Sequence, residues 1–281
     1  MANIFYGTYD RNIDVTNKII AGNIPQQDGN RAAIFGDPCY GHLKHVTYKD
    51  STRQIIYPYY VTGNVSRLLE ALNTPPTTYV IVSTCLLPGN FEIRKEQYIR
   101  GINSIIDKCA TIPNTKIILV ENNGQRQTFL DEFVNNHIAV LYTRNNFLPT
   151  WNKGRKELLD VLACIETFKI RDQDFIVKVT GRYYLDPKDC PFFDRLKEGT
   201  WDSIMRYGNY CTGPDTPTGD CILGIVGMRC KYVKEINVPV TESAEISWAA
   251  KSLNIPDNKQ CVITDHLGIY IAPGTNTYFL V

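Results

Sequence analysis

The stretch Lys178-Val179-Thr180-Gly181-Arg182-Tyr183-Tyr184 carries the densest set of chemistry-bearing side chains in this 281-residue chain. Arg182 offers a planar guanidinium fork suited to phosphate oxygens. Lys178 brings a second cation from inside Phe175–Val179, a run that is otherwise apolar and β-rich. A lysine there is costly to desolvate unless it meets an anion or snorkels to the end of a sheet. Gly181 allows close backbone approach, Thr180 adds a hydroxyl, and two tyrosine rings follow. The combination suits a pocket for a phosphorylated ligand.

Such a pocket needs elements to hold it. Tyr79–Ser83, Lys116–Val120, Ala139–Tyr142 and Phe175–Val179 read as strands of a parallel sheet. Between them, Phe91–Cys109 places Tyr98, Ile102, Ile105 and Ile106 at helical spacing, and Thr128–Val134 reads as helical. Asn152 is placed to cap a helix running to about Phe168, with Leu158, Leu159, Leu162 and Ile165 inward. Strands alternating with helices predict a mostly parallel sheet covered on both faces. Ligands of such sheets bind beyond the carboxyl ends of the strands, where Thr180–Tyr184 falls.

Residues 1–76 have a different texture, with strands expected at Ile13–Thr16, Ala32–Phe35, Leu43–Tyr48 and Gln54–Val61 and a helical turn at Ser66–Leu72. Asn73-Thr74-Pro75-Pro76 reads as a linker. The expectation is a small β-rich module over 1–76 and an α/β domain over 77–281. In the tail, Ser203–Arg206, Ile222–Met228, Cys261–Ile263 and Gly268–Ile271 read as strands and Glu242–Leu253 as a helix.

The bulk numbers narrow the functional classes. Thirty Lys+Arg against 29 Asp+Glu leave a net charge of +1, so no global basic field exists to hold nucleic acid. Nine cysteines, none in a C-x-x-C pair, argue against a zinc ribbon or redox dithiol. No apolar run is long enough to span a bilayer. These features point to a soluble, cytoplasmic protein with reduced thiols.

Lys178-Val179-Thr180-Gly181-Arg182-Tyr183 resembles the K-x-T-G-R-Y stretch of certain nucleotide-sugar glycosyltransferases of the GT-A type. Val80–Thr84, Leu119-Val120-Glu121-Asn122 and Asn152-Lys153-Gly154 with Glu157 resemble further pieces of that family in the expected order. The first 75 residues are similar to a short module ahead of glycosyltransferases in large DNA viruses of algae and protists. The resemblance implies a GT-A-like, Rossmann-like fold. It also implies transfer of a sugar from a nucleotide-sugar donor to a glycan or glycoprotein hydroxyl, in host cytoplasm if the protein is viral. A UDP-sugar is preferred, UDP-xylose being one candidate.

On that reading Lys178, Thr180, Gly181 and Arg182 contact the diphosphate. Lys153 and Gly154 add a helix-terminal anion site, a solvated first-turn lysine being the plain alternative. Thr84, Glu121 and Asn122 contact base and ribose, and Arg94 reaches a base edge or phosphate. Glu245, Glu242 and Asp220 are candidates for the general base, and a carboxylate base favours an inverting reaction. Tyr183, Tyr184, Tyr210 and Trp248 are candidates for stacking on sugars, and Tyr207–Asp220 for a lid.

One departure leaves the metal question open. Many members of that group carry Asp-x-Asp at the end of the fourth strand, where this chain has Thr180-Gly181-Arg182. Asp172-Gln173-Asp174 precedes the strand, some 15–20 Å away at about 3.3 Å per residue, and reads as a turn. Mn²⁺ or Mg²⁺ dependence is thus undecided, with Asp265 and His266 the remaining candidate ligands. Two rivals stand beside the transferase. One is another nucleotide-sugar enzyme or a nucleotidyltransferase, disfavoured by the lack of a glycine-rich phosphate loop at Leu86-Leu87-Pro88-Gly89. The other is a non-catalytic sugar-binding or capsid-associated module on an inactivated transferase fold.

Overall fold

A computed structural model describes residues 3–8, 11–20, 28–42, 44–49, 54–57, 75–86, 91–124, 126–208, 218–271 and 277–281. The chain divides into two compact units, Met1–Pro75 and Pro76–Val281.

In the first unit, β1 (Asn3–Gly7), β2 (Asn12–Asp14), β3 (His45–Lys49) and β4 (Gln54–Tyr57) form an antiparallel sheet in the order β2-β1-β3-β4. Ile4 and Tyr6 alternate inward to meet Val15, Ile19, Phe35 and Val46 in a small core. Among the described residues of this unit are also two short helices, α1 (Thr16–Ile20) and α2 (Asp28–Phe35). The strand expected at Ala32–Phe35 is therefore the end of a helix. Burial there recurs at Arg31 and Phe35 with Ala33 and Ile34 exposed between them, a four-residue period rather than two. The expected turn at Ser66–Leu72 and the stretch 58–61 lie outside the described residues.

The second unit is built on a seven-stranded sheet. Its strands are β5 (Thr78–Thr84), β6 (Thr115–Glu121), β7 (Ile138–Tyr142), β8 (Phe175–Thr180), β10 (Ser203–Met205), β13 (Ile225–Arg229) and β14 (Gln260–Val262). They lie in the order β14-β10-β13-β8-β5-β6-β7. The pairings β5–β6, β6–β7, β5–β8 and β10–β14 are parallel, while β13 runs antiparallel to both neighbours. This is the layered architecture expected: a mostly parallel sheet flanked by helices and preceded by a small β-containing module.

Both faces are covered, which is why the middle of β5, Tyr79–Val82, is an unbroken apolar run. Val80 and Val82 point to one side, against α3 (Phe91–Cys109) through Tyr98, Ile102 and Ile105. Ile81 points to the other, where Leu158, Val161 and Ile165 of α4 (Lys153–Thr167) join Trp248 of α7 (Ala244–Leu253). Asn152 caps α4 as expected, its Oδ1 accepting the Arg155 N–H at 2.9 Å. The segment expected to be helical at Thr128–Val134 is a 3₁₀ turn, Phe129–Phe133, closed by a capping box between Thr128 and Asp131.

Smaller elements hang from this frame. They are α5 (Pro191–Glu198), the one-turn α6 (Cys230–Val233), a two-stranded ribbon of β11 (Tyr207–Gly208) with β12 (Asp220–Cys221), and a three-stranded sheet of β9 (Tyr184–Leu185), β15 (Ile269–Ile271) and β16 (Phe279–Leu280). The eight described cysteines are free. No helix among the described residues is long and apolar enough to cross a membrane.

Strand order decides where a ligand can sit. From β5 the chain steps through β6 to β7, then returns to place β8 on the other side of β5. The crevice at the carboxyl ends of β5 and β8 is thus a topological switch point. Two glycines shape it. A Cβ on Gly181 would stand 2.9 Å from the Ser83 carbonyl, and one on Gly101 of α3 would stand 2.1 Å from the Gly181 carbonyl and 2.4 Å from that of Tyr183. The Thr180–Tyr183 turn is wedged between a strand end and a helix with no room for a methyl group. Gly101→Ala is expected to cost about 2 kcal/mol by overpacking, measured by urea denaturation. An unchanged midpoint would show that the turn relaxes freely.

Candidate active site at the carboxyl ends of β5, β6 and β8

Parallel register brings Thr84 opposite Glu121 and Ser83 opposite Thr180. Above this row lies a cleft of ≈150 Å³ lined by residues that include Ser83, Thr84, Arg94, Asn122, Lys153, Lys156, Glu157, Thr180 and Arg182. Four of these are cations from three elements: Arg94 from α3, Lys153 and Lys156 from the start of α4, and Arg182 from the turn after β8. None of the four has a carboxylate partner among the described residues; Lys156 donates to the Asn146 carbonyl at 2.6 Å. The lining carboxylate, Glu157, is ion-paired with Lys178. The balance is positive, and the amino end of α4 adds its dipole. A larger hollow of ≈500 Å³ lies at the opposite, amino end of the sheet beside Ile106, Ile112, Ile117 and His137. Size favours that hollow; the strand polarity and converging charge favour the carboxyl-end cleft.

Lys178 does not line the cleft. It is buried under it, on the α4 side of β8, with its ammonium bound to Glu157, to Thr180 Oγ1 at 2.9 Å and to the Leu223 carbonyl at 2.7 Å. All three of its protons are engaged by the protein. The expected diphosphate contact from Lys178 is therefore corrected: it neutralises Glu157 and anchors Thr180. Gly154 is corrected similarly. A Cβ there would meet the Ala244 Cβ at 2.5 Å, so the glycine serves close packing of α4 on α7.

Glu121 is fully buried. Its carboxylate accepts the Leu86 N–H at 3.1 Å, the Asn123 N–H at 3.0 Å and lies 2.9 Å from the Thr84 hydroxyl. Burial pushes its pKa up, and these hydrogen bonds oppose the shift. It ties the loops after β5 and β6 together. Asn122 donates to Asp160 at 2.8 Å, and Thr143 and Asn145 donate to the same carboxylate, each at 2.7 Å. Asp160 too is raised by burial, against its three hydrogen bonds. Burial also lifts the Cys85 thiol to about 11, helped by Glu121, which leaves no thiolate nucleophile at neutral pH.

The base candidates gather beside the start of α4. Asn152 donates to the Glu242 carbonyl at 2.6 Å, which joins the amino ends of α4 and α7. Glu242 is exposed and accepts from Ser247 at 3.2 Å; Glu245 is half-buried and accepts from Ser243. Asp220 is 1% exposed. Trp248 is likewise 1% exposed, inside the core, so its expected sugar stacking is corrected: no ring face is open to a ligand. Tyr184 sits in the small sheet, stacked on Tyr270 at 4.8 Å with the Arg100 guanidinium 4.4 Å from its ring centre. Tyr183 lies 5.3 Å from the Arg182 guanidinium and packs against the core. Tyr210 and most of the expected lid, 209–217, lie outside the described residues.

The ring that sequence reasoning missed is Trp151, 100% exposed, one residue before the Asn152 cap. Phe147, 67% exposed, lies four residues earlier in the chain. The available signal was a large aromatic directly ahead of a helix cap flanked by cations. Lys156 and Asp160 were missed because helical spacing alone does not say which polar face meets a cleft.

The fit to a divalent metal is poor. Such a cation takes oxygen ligands, and the cleft presents four cationic side chains with one carboxylate already paired. Asp172-Gln173-Asp174 is a turn at the far end of β8, where Asp174 binds Arg171 and the Thr77 N–H and Asp172 pairs with Lys234. His266 faces Asp189 at 3.3 Å rather than the cleft. Among the described residues no three His, Cys, Asp or Glu side chains gather into a metal site, so Asp265 and His266 lack a third ligand.

No family model matches the chain, and no curated protein matches it. Solved structures do. S. aureus TarS residues 1–349 matches at 15% identity with TM-score 0.44, over 69% of this chain and 59% of that one. A 4-diphosphocytidyl-2C-methyl-D-erythritol synthase matches at 10% identity with TM-score 0.46, over 72% and 95%. The mannosyltransferase PcManGT from Pyrobaculum calidifontis, solved with GDP-Man and Mn²⁺, matches at 10% identity with TM-score 0.45, over 71% and 61%. The chain thus spans about three fifths of TarS 1–349 and of PcManGT. With all three scores below 0.5, none of these likenesses assigns a function.

Proposed function

We propose that the cleft at the carboxyl ends of β5 and β8 binds the diphosphate of a nucleotide sugar, and that the protein transfers the sugar to a glycan hydroxyl. The observation that carries this reading is the convergence of Arg94, Lys153, Lys156 and Arg182 at the switch point, around a carboxylate already neutralised by Lys178. A leaving nucleoside diphosphate gains negative charge as the glycosidic bond breaks. Fixed cations aimed at that charge stabilise the transition state more than the ground state. A UDP-sugar, with UDP-xylose among the candidates, remains the preferred donor, and a glycan or glycoprotein the acceptor. No step is assigned to a metal ion.

The acceptor hydroxyl must lose a proton. Glu245 is assigned that role with Glu242 as alternative, because both are reachable from solvent beside the α4 start while Asp220 is buried. A single carboxylate base implies inversion at the anomeric carbon. Glu245→Gln is expected to lower transfer by about 10²–10⁴-fold with nucleotide affinity intact. NMR of the product anomer checks the stereochemistry, and a retained configuration would sink the single-displacement mechanism.

The primary test is thermal-shift screening of UDP, GDP and CDP and their sugars. One nucleotide at a hundredfold excess over its Kd should stabilise the protein by about 2.7 kcal/mol. Stabilisation by none would favour a non-catalytic module. The acceptor is placed at Trp151, whose open face suits the CH face of a sugar. Trp151→Ala is expected to raise acceptor KM about tenfold with donor KM unchanged; equal changes in both would displace the acceptor from this ring.

A further inference from the structure

Two buried polar atoms on residues that line the cleft lack partners among the described residues. Ser83 and Asn122 both line the cleft, Ser83 Oγ and Asn122 Oδ1 are buried, and neither atom has a hydrogen bond among the described residues. Buried polar groups are nearly always satisfied, so two orphans in one cleft mark positions that a ligand completes. Ser83 can donate or accept. Asn122 cannot choose.

The reason lies behind it. Asp160 accepts three hydrogen bonds, from Asn122 Nδ2, Thr143 and Asn145, at 2.7–2.8 Å. An anion ringed by three donors is acceptor-only. It therefore holds the Asn122 carboxamide with its NH₂ toward Asp160 and its carbonyl oxygen on the other side. Flipping the amide would set that oxygen against the carboxylate.

We infer that Asn122 is a specificity residue that reads a hydrogen-bond donor on the nucleoside part of the ligand, and that Asp160 is the positioning residue that fixes its polarity. The inference rests on the nucleotide reading of the cleft. The shared chemistry is an N–H or O–H group, from either the Watson–Crick edge of the base or a ribose hydroxyl. A ligand that lacks it leaves the Asn122 oxygen unsatisfied, and such a loss discriminates more strongly than a missing apolar contact.

The test uses the full chain and isothermal titration with UDP, N3-methyl-UDP and 2′-deoxy-UDP, and in parallel GDP, N1-methyl-GDP and 2′-deoxy-GDP. Wild type is expected to bind the better of UDP and GDP at least tenfold more tightly than one of its two analogues. The weakened analogue tells base from ribose. Asp160→Asn, nearly isosteric, should bring that ratio close to one, because a neutral amide accepts either orientation of Asn122. A purely structural role for Asp160 would lower stability or all affinities together and leave the ratio unchanged.

Asn122→Ala strands Asp160 and could fail to fold. Ser83→Ala covers that case: removing an unpartnered buried hydroxyl should leave the melting temperature unchanged while weakening the parent nucleotide several-fold. Tight, equal binding of parent and both analogues by wild type overturns the inference and leaves the nucleotide reading standing. Binding of no nucleotide overturns both.

Discussion

Arg182→Ala is expected to weaken nucleoside diphosphate binding by about 10–150-fold while leaving binding of the bare nucleoside unchanged. The lower figure corresponds to about 1.5 kcal/mol and the upper to about 3, the range for hydrogen bonds to charged groups. Arg182 follows the close turn at Gly181, lines the cleft and has no ion-pair partner among the described residues. Its charge is thus available to a ligand without breaking a bond first. The effect on turnover should exceed that on binding, by a further ~10²-fold, because diphosphate charge is greatest at bond cleavage. Arg182→Lys keeps the charge but not the fork, and recovery should be partial. Titration of UDP or GDP against uridine or guanosine separates the outcomes. Equal loss for nucleoside and diphosphate would remove Arg182 from the phosphate site.

Lys178→Met is expected to lower stability by about 3 kcal/mol, and Lys178→Met with Glu157→Leu to recover most of the loss. Lys178 is 97% buried in its side chain, as its relative exposure is 3%, while Glu157 is 26% exposed. Removing one partner of a buried pair costs about 3–5 kcal/mol, because the remaining charge is stranded. The partial exposure of Glu157 places this pair at the low end. For a domain of this size the fall in melting temperature is roughly 6–12 °C. The single variant should also bind nucleotide diphosphates less well, since an unneutralised Glu157 then faces the incoming anion. Equal destabilisation of the single and double variants would mean that the two residues are not coupled.

The frame of the second unit was legible because its signals are local. The β-branched, largely apolar runs Tyr79–Ser83 and Phe175–Val179, the helical spacing of Tyr98, Ile102 and Ile105, and the Asn152 cap each lie within one element. The errors arose where neighbours in space overrule neighbours in sequence. Ala32–Phe35 has strand-like composition, yet buries every fourth residue against a small sheet. Gly154 follows an anion-site pattern, yet its missing side chain is filled by Ala244, 90 residues later in the chain. Trp248 resembles a stacking ring until the packing of α7 closes over it.

The Lys178–Arg182 stretch separates the two kinds of information. By itself the sequence determined that a cation sits inside a strand and that a glycine allowing close approach, then an arginine, follows it. Residue type and period are written in adjacent positions, so no fold is needed to read them. Only the tertiary structure decided that the two cations part company. Glu157, on another element, takes up Lys178 beneath the cleft and leaves Arg182 above it. The charge available to a ligand depends on which opposite charge lies within a few ångströms and on how much water remains, and both are set by residues distant in sequence.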